Sequence, residues 1–200
     1  MTIVDYGSCN VASIANMLKR VGVTSIITND PEKIKDASKL ILPGIGVFDI
    51  AMASLKEKGL LEILEKKVIL ERTPILGICL GMQLLTGGSE EGKINGLGWI
   101  PGYAYKFSST VSLKVPHMKW NHVQLFGPSI LTKEINENAR FYFVHSYYVK
   151  VDDPRHSILQ TDYGIRFDSG IQRDNIMGVQ FHPEKSHKYG MRLLSSFAGM

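Results

Sequence analysis

Cysteine is scarce in the 200-residue chain. There are two, Cys9 and Cys79, too few for the disulfide framework of a small secreted domain, so a reducing, cytoplasmic setting is expected. No apolar run approaches the roughly 18 residues of a membrane span. The N-terminal segment MTIVDYGS has neither the basic start nor the long apolar stretch of a signal peptide. Neither sign of charge dominates: 23 Lys and Arg stand against 19 Asp and Glu, a net +4. The basic residues are interleaved with acids, as in Lys56-Glu57-Lys58 and Glu65-Lys66-Lys67. That is the pattern of a solvated helix face, so neither nucleic acid nor a membrane is an expected partner. Residues 185–192 are locally basic and lack acids, and they face either an acidic patch on a partner or water. The six histidines and two cysteines show no metal-ligand spacing, so neither a metal nor another cofactor is expected.

What is present is the composition of an ordinary globular chain, 44% hydrophobic and 21% charged, read as one domain over residues 1–200. The first hundred residues alternate strand-like and helix-like segments. Residues 2–5 read as a strand, and Ile14, Met17, Leu18 and Val21 form a helical stripe from Val11 that Gly22 stops. Residues 24–28 and 40–42 read as buried strands. Leu60, Leu61, Leu64 and Val68 form a second stripe. Residues 74–78 read as a strand running into a helix over 80–85. The second half is strand-rich, at residues 97–105, 122–125, 140–151, 157–160, 165–167 and 176–180, with a closing helix after Pro183. The expected class is α/β: a mixed, mostly parallel sheet flanked by helices and extended by antiparallel strands.

Three motifs sit at strand ends. The first is Gly77-Ile78-Cys79-Leu80-Gly81, a Gly-x-Cys-x-Gly turn between strand and helix. A turn this sharp needs small residues two positions either side of its apex, and it holds the apex side chain above the sheet edge. Backbone N–H groups at the helix start favour a thiolate at Cys79, and the Leu80 N–H is placed for an oxyanion. A buried structural cysteine at an ordinary turn is the alternative. The second motif is His182-Pro183-Glu184. Residues two apart on extended chain share a side, so Glu184 can hold one imidazole nitrogen of His182 and leave the other as a base. The bland reading is a dipole-complementing Glu and a packed His. The third is Pro43-Gly44-Ile45-Gly46, a loop after a strand that lacks the remaining features of a dinucleotide fingerprint.

Together with Asp5-Tyr6-Gly7 and Asn10, Pro116-His117-Met118 with Trp120-Asn121, the run FYFVHSYY over 141–148 and GVQFHPEKS over 178–186, these motifs resemble the class I glutamine amidotransferases. Within that family the resemblance narrows to the glutaminase subunits of imidazole glycerol phosphate synthases, and it spans nearly the whole chain. It implies Cys79 as nucleophile, His182 as acid/base and Glu184 as its orienter. Leu80, Gly44, Ile45 and Gly46 correspond to the oxyanion site, where a peptide must turn its N–H inward. Gln83, His145, Ser146 and Tyr147 correspond to the L-glutamine site. Trp120, Asn121 and Lys185 correspond to an interface with a barrel-shaped cyclase subunit, forming a heterodimer. Two residues depart from the pattern: Cys9 and Lys119 stand where the family usually has glycine, both near that interface. A paralogous subunit that feeds ammonia to a nucleotide-sugar enzyme of surface-polysaccharide synthesis is the alternative.

Overall fold

In a computed structural model, residues 1–7, 10–108 and 113–200 are described; Cys9 lies outside them. In chain order the elements are β1 (Thr2–Val4), α1 (Val11–Arg20), β2 (Ile26–Thr28), α2 (Pro31–Lys35), β3 (Leu40–Leu42), α3 (Phe48–Glu57), α4 (Leu60–Glu65), β4 (Ile75–Ile78), α5 (Leu80–Leu84), β5 (Gly102–Lys106), β6 (His117–His122), β7 (Gln124–Leu125), β8 (Arg140–His145), β9 (Tyr147–Val151), β10 (Ser157–Tyr163), β11 (Ile165–Arg173), β12 (Ile176–Val179) and α6 (His187–Ala198). A π-helical turn, Lys66–Leu70, follows α4, and a 3-10 turn, Pro183–Lys185, precedes α6.

Ten strands make one mixed sheet, in the order β2-β1-β3-β4-β12-β11-β10-β7, with β9 on β11 and β5 on β9. Neighbours from β2 to β12 run parallel, and those from β12 outward are antiparallel. Helices cover both faces, as the alternating sequence predicts. Adjacent residues of a strand point to opposite sides. Val4, Leu42 and Ile75 therefore pack under α2, α3 and α4. Ile3, Ile41, Leu76 and Ile78 pack under α1 and α6. Each fully buried Leu or Ile removes enough apolar surface to contribute about 1.5–3 kcal/mol.

Several boundaries differ from expectation. Residues 24–28 do not form a buried strand: only Ile26–Thr28 pairs, at the sheet edge, leaving Ile26 and Ile27 46% and 42% exposed. Residues 97–101 are not strand. Leu97, Gly98 and Ile100 turn their N–H groups onto the carbonyls of Leu84, Thr86 and Leu85, satisfying the orphan acceptors at the end of α5. The single strand expected over 140–151 is two. It breaks at Ser146, because β8 pairs with β6 in a separate two-stranded sheet while β9 joins the large one. Residues 122–125 are the end of β6 and the whole of β7. Strands β10 and β11 run longer than expected, through a turn at Gly164 (φ +71).

Candidate active site

Strands β3, β4 and β12 end side by side, and the register Ile78↔Val179 places Cys79 next to Gln180. The Cys79 N–H still bonds the Val179 carbonyl at 2.8 Å. Cys79 itself has φ 55 and ψ −109, a backbone state that ordinary residues avoid at a cost on the order of 1–3 kcal/mol. The strain has a visible support. A Cβ on Gly81 would overlap the Leu42 carbonyl oxygen, and one on Gly77 would lie 2.7 Å from the Gly81 carbonyl oxygen. The two glycines thus let α5 sit directly against β3 and β4.

His182 lies beyond the end of β12, with its N–H on the Tyr142 carbonyl at 2.9 Å. Its Nδ1 is 2.7 Å from Glu184 Oε1, and both side chains are buried. The expected pairing is present, but its geometric cause is different. The strand stops at Val179, and the 3-10 turn opened by Pro183 brings Glu184 back onto the ring. Ser186 locks this turn, donating to the His182 carbonyl at 2.6 Å and accepting the Tyr142 N–H at 3.0 Å. Nε2 of His182 makes no full hydrogen bond and is the nitrogen left to serve Cys79. Burial lowers the ring's pKa, but the Cys79 thiolate and then Glu184 outweigh it and raise it to about 10.

These groups open into a cavity of about 430 Å³. Of the residues singled out in sequence, Ile45, Gly46, Cys79, Leu80, Gln83, His145, Ser146, Tyr147, His182 and Lys185 line it. Gly44 lies behind, where a Cβ would meet the Gly81 nitrogen at 2.6 Å. Lys119, Trp120 and Asn121 lie away from the cavity on β6. Trp120 stacks on His187 at 5.5 Å, and Lys119 lies 5.4 Å over the Tyr163 ring. A larger groove of about 960 Å³, between α3, α4 and residues 94–99, contains none of the paired groups. The smaller one, which holds the paired groups, is the candidate active site.

Four further residues enter the site without having been assigned a role in sequence. Asn10 donates through Nδ2 to the same Glu184 oxygen that holds His182. Tyr6 donates through its hydroxyl to the Pro43 carbonyl at 2.6 Å. Gln180 accepts from Gln83 Nε2 at 3.3 Å and directs its own Nε2 at Cys79 Sγ, 3.8 Å away. Glu91 lines the cavity and accepts the Phe48 N–H at 2.8 Å. Asn10 and Tyr6 lie inside a quoted motif, and Gln180 inside another; Glu91 carries no such signal. Among the described residues no cluster of three His, Cys, Asp or Glu could hold a metal, and no helix is long and apolar enough to cross a membrane.

Comparison with known proteins identifies the family. The family profile "Glutamine amidotransferase class-I" matches residues 2–198. The chain is 54% identical over 197 residues to imidazole glycerol phosphate synthase subunit HisH 2 of Methanococcus maripaludis, covering 98% of each chain. It is 48% identical over 199 residues to the subunit of the same name from Pseudomonas aeruginosa, again with 98% of each covered. Among solved structures, PurLQS from Thermotoga maritima superposes with a TM-score of 0.77 at 18% identity, over 99% of this chain and 96% of that one, a likeness of fold.

Proposed function

Because this chain belongs to the class I glutamine amidotransferases, we propose that it is the glutaminase subunit of an imidazole glycerol phosphate synthase, releasing ammonia from L-glutamine for a cyclase subunit in histidine biosynthesis. The observation that carries the reading is the buried Cys79–His182–Glu184 constellation in the cavity wall, with Cys79 on a strained elbow and the His182 ring held by Glu184. Full-length identity to subunits bearing that name supports the pathway.

The chemistry follows from the groups in place. The Cys79 thiolate adds to the side-chain amide carbon of glutamine, and the carbonyl π electrons move to oxygen. The Leu80 N–H and one N–H from residues 43–46 receive that oxyanion. His182 passes its Nε2 proton to the amide nitrogen. The C–N bond breaks, ammonia leaves and a γ-glutamyl thioester remains. The now neutral ring takes a proton from water as the water adds to the thioester. Collapse expels the thiolate and leaves the new γ-carboxylic acid, which releases its proton to solvent as glutamate, with the ring charged again. Glu184 holds the ring orientation throughout. Ammonia that met bulk water would become ammonium and lose its lone pair, so it has to reach its acceptor through a dry contact with the partner. The exposed face of β6, with Met118 57% and Trp120 36% exposed, together with Lys185 at the cavity rim, is the surface for a barrel-shaped cyclase.

Cys79→Ala tests the reading. Glutamate release is expected to fall by at least about 10⁴-fold, while the partner's synthesis from added ammonia persists. Undiminished glutamate release by the variant refutes the assignment.

A further inference from the structure

Two buried histidines outside the triad form a cross-strand pair. His117 of β6 lies directly opposite His145 of β8, and His117 Nδ1 is 2.9 Å from His145 Nε2. The proton positions follow from the two ends of the chain they belong to. At one end His145 Nδ1 is 2.7 Å from the Tyr147 carbonyl oxygen. A carbonyl only accepts, so that nitrogen carries the hydrogen. At the other end Asn121 Oδ1 accepts the His122 N–H at 2.9 Å. This fixes the amide orientation and turns Nδ2 to the Asp162 carbonyl at 3.0 Å and to His117 Nε2 at 3.2 Å. Asn121 can therefore only donate to His117.

Between those ends a single polarity satisfies every ring nitrogen: Asn121 donates to His117, His117 to His145, and His145 to Tyr147. Both rings must be neutral, each with its hydrogen on Nδ1. Protonating either one would set two donors face to face. The surroundings agree. His117 is sandwiched between the rings of Phe143, at 4.7 Å, and Tyr163, at 3.9 Å. Burial, then the charge of His145 and of Lys119, lowers its pKa to about 3. Burial lowers that of His145 to about 4, opposed by the Tyr147 carbonyl and assisted by His182. The carbonyl at the end of the chain also accepts Gln83 Nε2 at 3.3 Å, and residues 145–147 form one wall of the catalytic cavity.

We propose that Asn121, His117 and His145 form a one-directional hydrogen-bond relay that runs from the β6 face to the Tyr147 carbonyl and holds residues 145–147 in the conformation that binds the amino-acid substrate. His117 and His145 are thereby positioning residues. The consequence for catalysis rests on the glutaminase reading; the proton assignment does not.

The first experiment is long-range ¹H–¹⁵N correlation on the intact chain labelled in its imidazoles. Both rings are expected to be neutral, with hydrogen on Nδ1, throughout pH 6–8. A hydrogen on Nε2 of either ring, or a charged ring, overturns the relay. The second is steady-state glutamine hydrolysis in the complete complex. His117→Phe keeps the ring stack but removes both hydrogen bonds, and it is expected to raise KM for glutamine about tenfold with kcat little changed. His117→Asn, which keeps a donor at the Nδ1 position, is expected to recover most of that loss. A folded His117→Phe with unaltered KM overturns the positioning role. If the phenylalanine variant does not fold, the proton assignment still decides the relay. No hydrolysis by the unaltered complex refutes the glutaminase reading, and the spectra judge the relay independently.

Discussion

The Tyr6 hydroxyl donates a 2.6 Å hydrogen bond to the Pro43 carbonyl, linking the exit of the first strand to the loop beside Cys79. The loop is confined on its other side as well, since Gly44 sits where a Cβ would meet the Gly81 nitrogen at 2.6 Å and the Tyr6 hydroxyl at 2.8 Å. One peptide plane is thus fixed, and the turn needed to aim an N–H into the cavity falls on the peptides that follow, up to Gly46 with φ +103. Tyr6→Phe releases the anchor. A complete oxyanion donor is worth roughly 100- to 1,000-fold in rate, so a loosened one is expected to lower kcat about tenfold and leave KM for glutamine within about twofold. An unchanged kcat in stopped glutamate assays argues against this anchoring.

Asn10 offers a second test, of the base rather than the oxyanion. Its side chain shares Glu184 Oε1 with His182, so it fixes the carboxylate that fixes the ring. Asn10 has φ 87, a conformation glycine adopts freely. Asn10→Gly therefore removes the hydrogen bond without backbone strain. With Glu184 less constrained, kcat is expected to fall about tenfold, with normal thermal stability. Full activity of Asn10→Gly would mean that the 3-10 turn alone positions Glu184.

How far the site could be read from sequence depended on the range of the interaction involved. Gly77, Cys79 and Gly81 announce themselves because the steric demand of a sharp turn falls on residues two positions away. His182 and Glu184 are legible for the same reason, although the turn that joins them is helical rather than extended. The contacts of Asn10 with Glu184 and of Tyr6 with Pro43 join distant parts of the chain, and local spacing carries no trace of either partner. The break at Ser146 is hidden because FYFVHSYYVKV favours extended chain throughout; it is the competition between β6 and β11 for partners that splits it. Strand β6 escapes a period-two reading because its outward residues, Met118 and Trp120, are apolar. Helix α3 does carry a stripe, with Phe48, Ala51, Met52 and Leu55 buried, but Val47 provides no side-chain cap to mark its start.

Stability should be greatest near pH 6.5 as far as these histidines are concerned. The His182 pKa is raised from 6.5 to about 10 in the folded protein. Its contribution is fully present below 6.5 and is lost as pH rises through about 10. His117 and His145 are lowered to about 3 and 4. Their contributions are present above 6.5 and are lost as pH falls through those values. Thermal unfolding followed across pH is expected to show a fall of several degrees on each side. Cys79→Ala should shrink the alkaline fall, because Cys79 is the chief group raising His182, and leave the acid fall as it was. An alkaline limb insensitive to Cys79 would dissociate the charged imidazole from the nucleophile.

The cavity rim and the Trp120 face of β6 and β8 are cationic and aromatic: Lys185 lies 5.9 Å over the Tyr142 ring and Arg140 5.8 Å over Trp120, while Lys119, on the other face of β6, lies 5.4 Å over Tyr163. A lysine is costly to bury unless its charge is paired, so a subunit that covers Lys119 and Lys185 has to supply carboxylates opposite them. Lys185 also follows Glu184 directly, so a load on it is transmitted to the triad through one peptide bond. Lys185→Ala is expected to weaken docking by about 2–5 kcal/mol if the lysine is buried in the complex, with unstimulated hydrolysis nearly unchanged. Calorimetry with the barrel subunit from the same genome measures the first, and glutamate release by the chain alone the second. The acceptor is decided by complementation. In a strain lacking its own histidine-pathway glutaminase, co-expression of this chain with that barrel subunit is expected to restore growth without histidine, and Cys79→Ala to abolish it. Absence of growth from a pair that demonstrably hydrolyses glutamine would transfer the ammonia to another acceptor, such as a nucleotide sugar, and with it the carboxylates expected opposite Lys119.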